Sequence, residues 1–312
     1  MNEPQNGISV IIPVYNSAST LPALVMRLKP ILESQAGQFE LVFVNDGSSD
    51  RSWQVITELA SAEDRIHGIS LMKNYGQHNA LLCGIRAAKY DVCITMDDDL
   101  QNPPEEIPRL IAKLNEGHDV VYGTPQVRRH GFWRTLAADI TRVAIRAALG
   151  ADIAYKASAF RAFRTVLREA FSECRSPHVS IDVLLTWGTS DFASIAVHLD
   201  ARSSGVSNYT FKKLAIHALN MITGFSTLPL RLASLMGFGF TLFGFGVLVY
   251  VVGRYLIHGS SVPGFPFLAS VIAVFSGVQL FCLGILGEYL ARMHFRMMER
   301  PTYSIRREIR PD

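Results

Sequence analysis

The stretch Val92-Cys-Ile-Thr-Met-Asp-Asp-Asp-Leu-Gln-Asn-Pro-Pro104 runs from a segment that is apolar except for Thr95 into three consecutive aspartates. Adjacent carboxylates repel one another, and the crowding costs stability unless a cation neutralises it. A hard divalent ion, Mg2+ or Mn2+, suits carboxylate oxygens and keeps positions open for phosphate. Side chains at i and i+2 of an extended chain share a face, so the spacing predicts Asp97 and Asp99 on one ion, with Asp98 turned elsewhere, toward a ribose. The competing reading, a solvated acidic turn that starts the helix at Pro103-Pro104-Glu105, loses ground once the upstream sequence is considered.

Two other apolar runs end in chemistry-bearing turns. Ile8-Ser-Val-Ile-Ile-Pro-Val-Tyr-Asn16 reads as a strand whose end can face a nucleotide base, with Pro13 or Tyr15 offering a flat apolar contact and Asn16 beside them. In Val44-Asn-Asp-Gly-Ser-Ser-Asp50 a buried strand delivers Asp46 to the edge of the sheet. There Gly47 permits an unusual turn, and Ser48 or Asp50 can cap the helix that starts near Arg51. Asp46 has no capping duty at that spacing, which leaves it to accept hydrogen bonds from a base or ribose.

These clusters sit in a regular alternation. Strands are predicted at 8–13, 39–44, 66–71, 92–96 and 120–122, and helices at 21–34, 52–62, 77–88 and 104–116, which is how βαβ units read. The pattern predicts an α/β domain with a mostly parallel sheet and a ligand site outside the carboxyl ends of its strands. Region 123–209 is less periodic. It opens with the basic loop Val127-Arg128-Arg129-His130, read as a mobile segment, and continues with predicted helices at 136–149, 164–171 and 181–187 and strands at 158–163 and 195–198.

Apolar residues accumulate after about residue 228 in a chain of 312 residues that is 49% hydrophobic, with a mean hydropathy of +0.20. Stretches 232–252 and 267–286 lack Asp, Glu, Lys and Arg and are long enough to span a hydrocarbon core, predicting a transmembrane hairpin. Lys212, Lys213 and Arg231 precede it and Arg292, Arg296, Arg300, Arg306, Arg307 and Arg310 follow it, whereas the connecting segment offers Arg254, so both ends are expected on the cytoplasmic side. Residues 211–225 suit a helix lying in the membrane interface. The expected organisation is a catalytic domain over 1–209, an interfacial helix over 210–228, the hairpin over 229–290 and a basic tail over 291–312. The hairpin can also pack against copies of itself as a homo-oligomer.

A net charge of +3 fits an anionic membrane surface or substrate and does not call for nucleic acid. Cys83, Cys93, Cys174 and Cys282 lack CxxC spacing, which argues against a zinc site or disulfide framework and for a reducing compartment. The polar start runs directly into a strand without a signal-peptide pattern, so the first domain is expected to stay in the cytoplasm. The histidines show no HxxxH pattern and read as ordinary residues, with His78, beside the expected base pocket, the exception.

The ordered set Pro13-Val-Tyr-Asn16, Asn45-Asp-Gly-Ser48 and Asp97-Asp-Asp-Leu-Gln-Asn-Pro-Pro104, followed by two spans, resembles the polyprenyl-phosphate glycosyltransferases of glycosyltransferase family 2 over nearly the whole chain. Arg202-Ser-Ser-Gly-Val-Ser-Asn-Tyr209, Ser226-Thr-Leu-Pro-Leu-Arg231 and Leu286-Gly-Glu-Tyr-Leu290 resemble later elements of that group. The resemblance implies a GT-A fold and inverting transfer of a sugar from a nucleotide diphosphate, UDP in bacterial members, to a polyprenyl phosphate such as undecaprenyl phosphate. It implies Asp97 and Asp99 at the metal and diphosphate, Gln101 close to the sugar, and Pro13, Tyr15, Asn16, Asp46, Gln77 and Asp98 around the nucleotide. Arg128, Arg129, Arg202, Ser207 and Tyr209 would hold phosphate and acceptor. The chain departs from many relatives at Ala159, within Ser158-Ala-Phe-Arg161, where they carry Gly-Asp-Phe-Arg, and at Asn208, where they often carry Lys. A processive polysaccharide synthase of the same fold would need more spans and a Gln-x-x-Arg-Trp element, which this sequence lacks; a non-catalytic scaffold would not need the aspartate triplet.

An acceptor phosphate is largely anionic at neutral pH and needs little help from a base, so no dedicated base is expected. Asp182 reads as a helix-surface residue and, with Glu173, is the carboxylate to check.

Overall fold

A computed structural model describes residues 5–125, 158–175, 179–198, 228–258, 264–298 and 300–310. The strands are β1 (Gln5–Val14), β2 (Phe39–Asn45), β3 (Ile66–Leu71), β4 (Tyr90–Thr95), β5 (Val120–Pro125), β6 (Arg161–Arg164), β7 (Phe192–Val197) and β8 (Ile305–Ile309). The helices are α1 (Leu21–Gln35), α2 (Ser52–Ala62), α3 (Gln77–Ala87), α4 (Ile107–Asn115), α5 (Ile181–Gly188), α6 (Leu228–His258) and α7 (Phe265–Met297). The expected basic loop, the helices at 136–149 and 211–225, and most of the turn between the apolar stretches lie outside the described residues.

The strands form one mixed sheet in the order β7-β5-β6-β4-β1-β2-β3-β8. β1 pairs in parallel with β2 and β4, β2 with β3, and β5 with β7. β6 runs antiparallel to both β4 and β5. Strands buried on both faces need apolar residues at most positions rather than at alternate ones, and β1 and β2 largely meet that need, with the buried Ser9 donating to Glu40 at 2.6 Å. Val10, Ile12 and Val14 pack under Leu24 and Leu28 of α1, with Ile56 of α2 and Leu110 of α4 in the same core. Ile11, Val42 and Val44 face the other way, into a core shared with Leu81 and Ile85 of α3 and Leu184 of α5.

The strands and first helices fall within a few residues of their predicted bounds, and the differences have local causes. β5 continues to Pro125 because it pairs with β7 as far as Val197. The helix expected at 104–116 opens as a 3-10 turn, Pro104–Glu106, before α4, and that expected at 164–171 is a 3-10 turn over Thr165–Phe171. β4 ends at Thr95, so the aspartate triplet lies in a turn beyond the strand and the extended i, i+2 geometry expected for it does not hold.

Helices α6 and α7 contain Pro229–Ile257 and Val274–His294, of mean hydropathy 2.1 and 1.5, long and apolar enough to cross a membrane. They pack together, with Phe240 and Phe275 edge to face at 5.9 Å. Beyond them the sequence pattern misleads. Ile305-Arg-Arg-Glu-Ile309 reads as a solvated basic tail, but it forms β8, antiparallel to β3. The strand is fastened by Met72 N donating to Ser304 O at 2.9 Å, by His67 Nε2 against Glu308 at 2.9 Å, and by Arg306 donating to Met72 O at 2.7 Å. Its charged, exposed outer side blunts what would otherwise be an open edge of the sheet.

Close approach of α3 to the sheet depends on Gly84, where a Cβ would stand 2.4 Å from Ile11 Cγ2 and 3.1 Å from Val44 Cγ2. Overpacking of this kind costs about 1–3 kcal/mol, which outweighs the ~1 kcal/mol that alanine gains over glycine in a helix. Gly84→Ala is therefore expected to lower the melting temperature of the purified chain, and a rise would show that α3 stands off the sheet.

Candidate active site

Between β1 and β4 the winding of the chain reverses, because α1 and α2 cover one face as the chain moves outward from β1 while α3 covers the other on the way back to β4. Open α/β sheets bind ligands in the crevice at such a point, outside the carboxyl ends of the strands. Tyr15 and Asn16 leave β1 there, Asp46 leaves β2, and Asp97, Asp98 and Asp99 follow β4. Two residues at this edge have left-handed backbones without being glycine, Asn16 (φ 56°) and Leu100 (φ 62°). Such conformations are uncommon and cluster at functional sites.

Each aspartate of the triplet is met by a donor from a different element. Asp97 accepts from Gln77 Nε2, at the start of α3, at 2.6 Å. Asp98 accepts from Tyr15 N across the crevice at 3.3 Å. Asp99 accepts from Gln101 N at 3.1 Å and Gln101 Nε2 at 2.6 Å, an arrangement made by the reversed turn at Leu100. Burial, and then the like charges of Asp99 and Asp98, push the Asp97 carboxyl up to about 6, against the pull of Arg161 and Gln77. Asp98 is also raised, by burial above all, with Ser17 and the Tyr15 amide working the other way.

Arg161 of β6 is 1% exposed and lies opposite Thr95 in the β4–β6 register. Its Nε donates to Thr95 Oγ1 at 3.0 Å, its Nη1 pairs with Asp182 of α5, and its guanidinium lies over the Tyr122 ring at 5.8 Å. Tyr122 donates its hydroxyl to the same Asp182 oxygen at 3.0 Å. Asp182 is thus a partner of a buried cation, not the helix-surface residue expected; Glu173 is exposed. The polar Thr95 in the otherwise apolar run 92–96 was the visible sign of this network, but its partners lie too far along the chain for spacing to reveal them. Ala159 contributes its carbonyl, which accepts from Thr95 Oγ1 at 2.8 Å.

Asp46 has partners within the chain that the sequence did not reveal. It is 2% exposed, and its two oxygens accept from Tyr75 N at 2.7 Å and Gly76 N at 2.8 Å. Burial raises its carboxyl above the ordinary range while these two amides pull it down. Asp46 therefore fastens the loop that delivers Gln77. Gly47 lets the two turns touch, since with φ 66° a Cβ there would lie 2.5 Å from Asn74 N. Asn16 does similar work: its side-chain oxygen accepts from Ser49 N at 2.8 Å, and its own amide donates to Ser48 Oγ at 3.0 Å. Asp50, not Ser48, serves the start of α2, accepting from Ser52 N at 3.0 Å. Pro13 is buried within β1, so the flat apolar contact expected of it falls to Tyr15, which is 53% exposed. His78 Nδ1 accepts from Ile181 N at 3.3 Å. Arg128, Arg129, Arg202, Ser207 and Tyr209 lie outside the described residues.

Among the described residues no three His, Cys, Asp or Glu side chains form a ready-made metal cage. A magnesium-type ion needs none, since such ions are commonly held by one or two carboxylates and by substrate phosphates. The Asp97 carboxyl, held up by burial and two neighbouring like charges, is a donor that a cation would relieve, so the residues present fit a divalent ion.

The model of the family described as "Glycosyl transferase family 2" matches residues 9–172. Among solved structures the fold is similar to glucosyl-3-phosphoglycerate synthase from Mycobacterium tuberculosis in complex with Mn2+, UDP-glucose and phosphoglyceric acid, at 19% identity and a TM-score of 0.51, covering 70% of this chain and 78% of that one. The same synthase with Mn2+, UDP and phosphoglyceric acid gives 20% identity and a TM-score of 0.51 over 70% and 76% of the two chains. A mycobacterial protein gives 18% identity and a TM-score of 0.52 over 70% and 73%. These likenesses establish the GT-A-like α/β fold. With the family model covering just over half of its length, including the turns at Asn16, Asp46 and Asp97–Asp99, the chain belongs to glycosyltransferase family 2, nucleotide-sugar-dependent glycosyltransferases.

Proposed function

We propose that the chain transfers a sugar, with inversion, from a nucleotide-diphosphate donor to a polyprenyl phosphate at the cytoplasmic face of a membrane. The observation that carries the choice of a membrane acceptor is the pairing of β8. Ile305, its first residue, lies opposite Leu71, the last residue of β3, so the chain arriving from α7 joins the sheet at the carboxyl ends of its parallel strands. Linker 298–304 can reach at most about 25 Å. The base of an apolar helix is thereby tied to the end of the sheet where Asp46 and Asp97–Asp99 gather, which suits an acceptor held in a bilayer.

The donor's diphosphate fits beside the triplet, with Tyr15 offering a flat surface to the base. A bound divalent ion would supply positive charge against the departing diphosphate. The chain's own part is to fix the carboxylates: Gln77 and Tyr15 orient Asp97 and Asp98, while Arg161 secures the end of β4 through Thr95. A phosphate acceptor is already anionic near neutral pH, so no general base is assigned. The Arg161 ion pair leaves Asp182 poorly suited to that task, and Arg128, Arg129 and Arg202 remain candidates for the acceptor phosphate. UDP as the nucleotide, undecaprenyl phosphate as the lipid and magnesium or manganese as the ion are the choices the family resemblance favours. Mn2+ and UDP-glucose are bound by the mycobacterial synthase of similar fold.

Radiolabelled nucleotide sugars supplied to membranes holding the chain are expected to put label into an organic-extractable, mild-acid-labile lipid. Label in long polymer, or none with any donor, would contradict the assignment. Asp97→Asn and Asp99→Asn should each reduce turnover about a hundredfold or more, on the scale of losing a main charge-stabilising contact.

Stability should move the other way at Asp97. Its carboxyl holds a proton more tightly in the folded chain, to about 6, than at the ordinary value of 3.8. Below the ordinary value both states are protonated and the shift has no effect; as pH rises through about 6 the fold carries the full cost of the buried charge. Metal-free Asp97→Asn is expected to melt higher than wild type above that range and equally at low pH, as thermal denaturation in EDTA would show.

A further inference from the structure

Two apolar side chains meet solvent at the β3–β8 edge. Met72, one residue past β3, is 49% exposed, and Ile305, the first residue of β8, is 45% exposed. The two are neighbours, since Ile305 pairs with Leu71 in the antiparallel register and Met72 N donates to Ser304 O at 2.9 Å. Arg306 donates to Met72 O at 2.7 Å, and the next residue, Lys73, holds its ammonium over the Tyr75 ring at 5.2 Å. Lys73, Arg306 and Arg307 are exposed, while Glu308, the one acid of β8, is engaged by His67 and Arg310. The corner thus presents apolar side chains among cations whose charge their own strand does not neutralise.

A single exposed apolar residue is ordinary on a soluble surface. This pair differs in where the chain puts it. It lies at the carboxyl ends of the parallel strands, and linker 298–304 ties it to the base of α7, a helix long and apolar enough to cross a membrane. Apolar atoms ringed by Lys and Arg suit the boundary between headgroups and acyl chains, where the cations meet lipid phosphates. Resting on the membrane reading above, we infer that the corner formed by Met72, Lys73, Ile305, Arg306 and Arg307 is a lipid-contact surface that docks on the headgroup layer of an anionic bilayer. The contact attaches the catalytic sheet itself to the membrane, so the sheet does not swing freely on its connections to α6 and α7. Each basic residue near an anionic surface strengthens such attachment roughly fivefold. Met72 and Lys73 also open the segment that continues to Tyr75 and Gly76, which Asp46 holds. Docking therefore fixes this side of the crevice close to the headgroups, where a lipid phosphate lies.

The test is tryptophan fluorescence of the full-length chain reconstituted into vesicles of phosphatidylcholine and phosphatidylglycerol with bromine on the acyl chains, either close to the headgroup or deep. The emission that Met72→Trp and Ile305→Trp add to the wild-type background is compared with that of Leu242→Trp, exposed on α6, and Gln35→Trp, exposed at the last residue of α1. Most of the emission added by Met72→Trp and Ile305→Trp is expected to be lost to bromine near the headgroup, that of Leu242→Trp to deep bromine, and that of Gln35→Trp to survive both. The loss for Met72→Trp should shrink in phosphatidylcholine alone, and should shrink in the anionic mixture when Lys73→Glu is added. Emission kept by Met72→Trp and Ile305→Trp while Leu242→Trp is quenched overturns the docking corner and leaves the membrane reading standing. Emission kept by all of them, Leu242→Trp included, removes the membrane reading and this inference with it. Quenching of Gln35→Trp as strong as that of Met72→Trp contradicts a contact at this edge, and a loss indifferent to phosphatidylglycerol contradicts the anionic surface. Ile305→Trp carries the same comparisons if Met72→Trp does not fold.

Discussion

Three carboxylates at the end of one buried strand repel one another, and much of the architecture around them counters that repulsion. Asp97 suffers most, since burial and its neighbours together hold its proton to about 6. Donors reach the triplet from α3, from the end of β1 and from the turn at Leu100, while the buried cation Arg161 sits behind the strand. Natural chains stay stable despite such a site because the cost is local and the sheet beneath it is packed on both faces. A corner arranged this way is under electrostatic tension that a divalent ion can relieve, which links the energetics of the fold to the chemistry of sugar transfer.

A second constraint is connectivity. The strand that closes the β3 edge arrives from the second apolar helix, so the pair of apolar helices and the sheet are joined at two points in the sequence, before α6 and after α7. Tyr303 strengthens this junction, lying beneath the Arg86 guanidinium at 5.8 Å, while Arg86 also donates to the carbonyls of Ser172 and Cys174. Residues near the C-terminus thereby contact α3, the helix whose first residue reaches Asp97. The tail is an integral part of the catalytic sheet, and its chemistry is that of an edge strand.

Much of this was legible in the sequence because parallel strands advertise themselves. Largely apolar runs at β1, β2 and β4, each ending in polar residues, pointed to the sheet and to the edge where the polar turns gather. The apolar stretches within α6 and α7 were equally plain. What the residues hid were contacts between distant positions. Nothing local shows that Asp46 clamps the backbone of Tyr75 and Gly76, that Asp182 pairs with Arg161, or that Glu308 reaches His67 across the sheet. β8 escaped because three of its five residues are charged, and periodicity cannot distinguish a solvated tail from an edge strand held by its backbone. The local geometry of the triplet was not legible either, since the strand ends at Thr95 and the chain turns at Asp98 and Asp99, where an extended course was expected.

The central claim is that the acidic corner holds a cation against the phosphates of a nucleotide donor. Calorimetric titration of the detergent-purified chain with uridine and guanosine diphosphates, in manganese and in EDTA, addresses it most directly. The account predicts saturable binding of one nucleotide in manganese, abolished by EDTA and by the Asp97→Asn, Asp99→Asn double variant. Nucleotide binding of equal strength without the ion, or in the double variant, would contradict it.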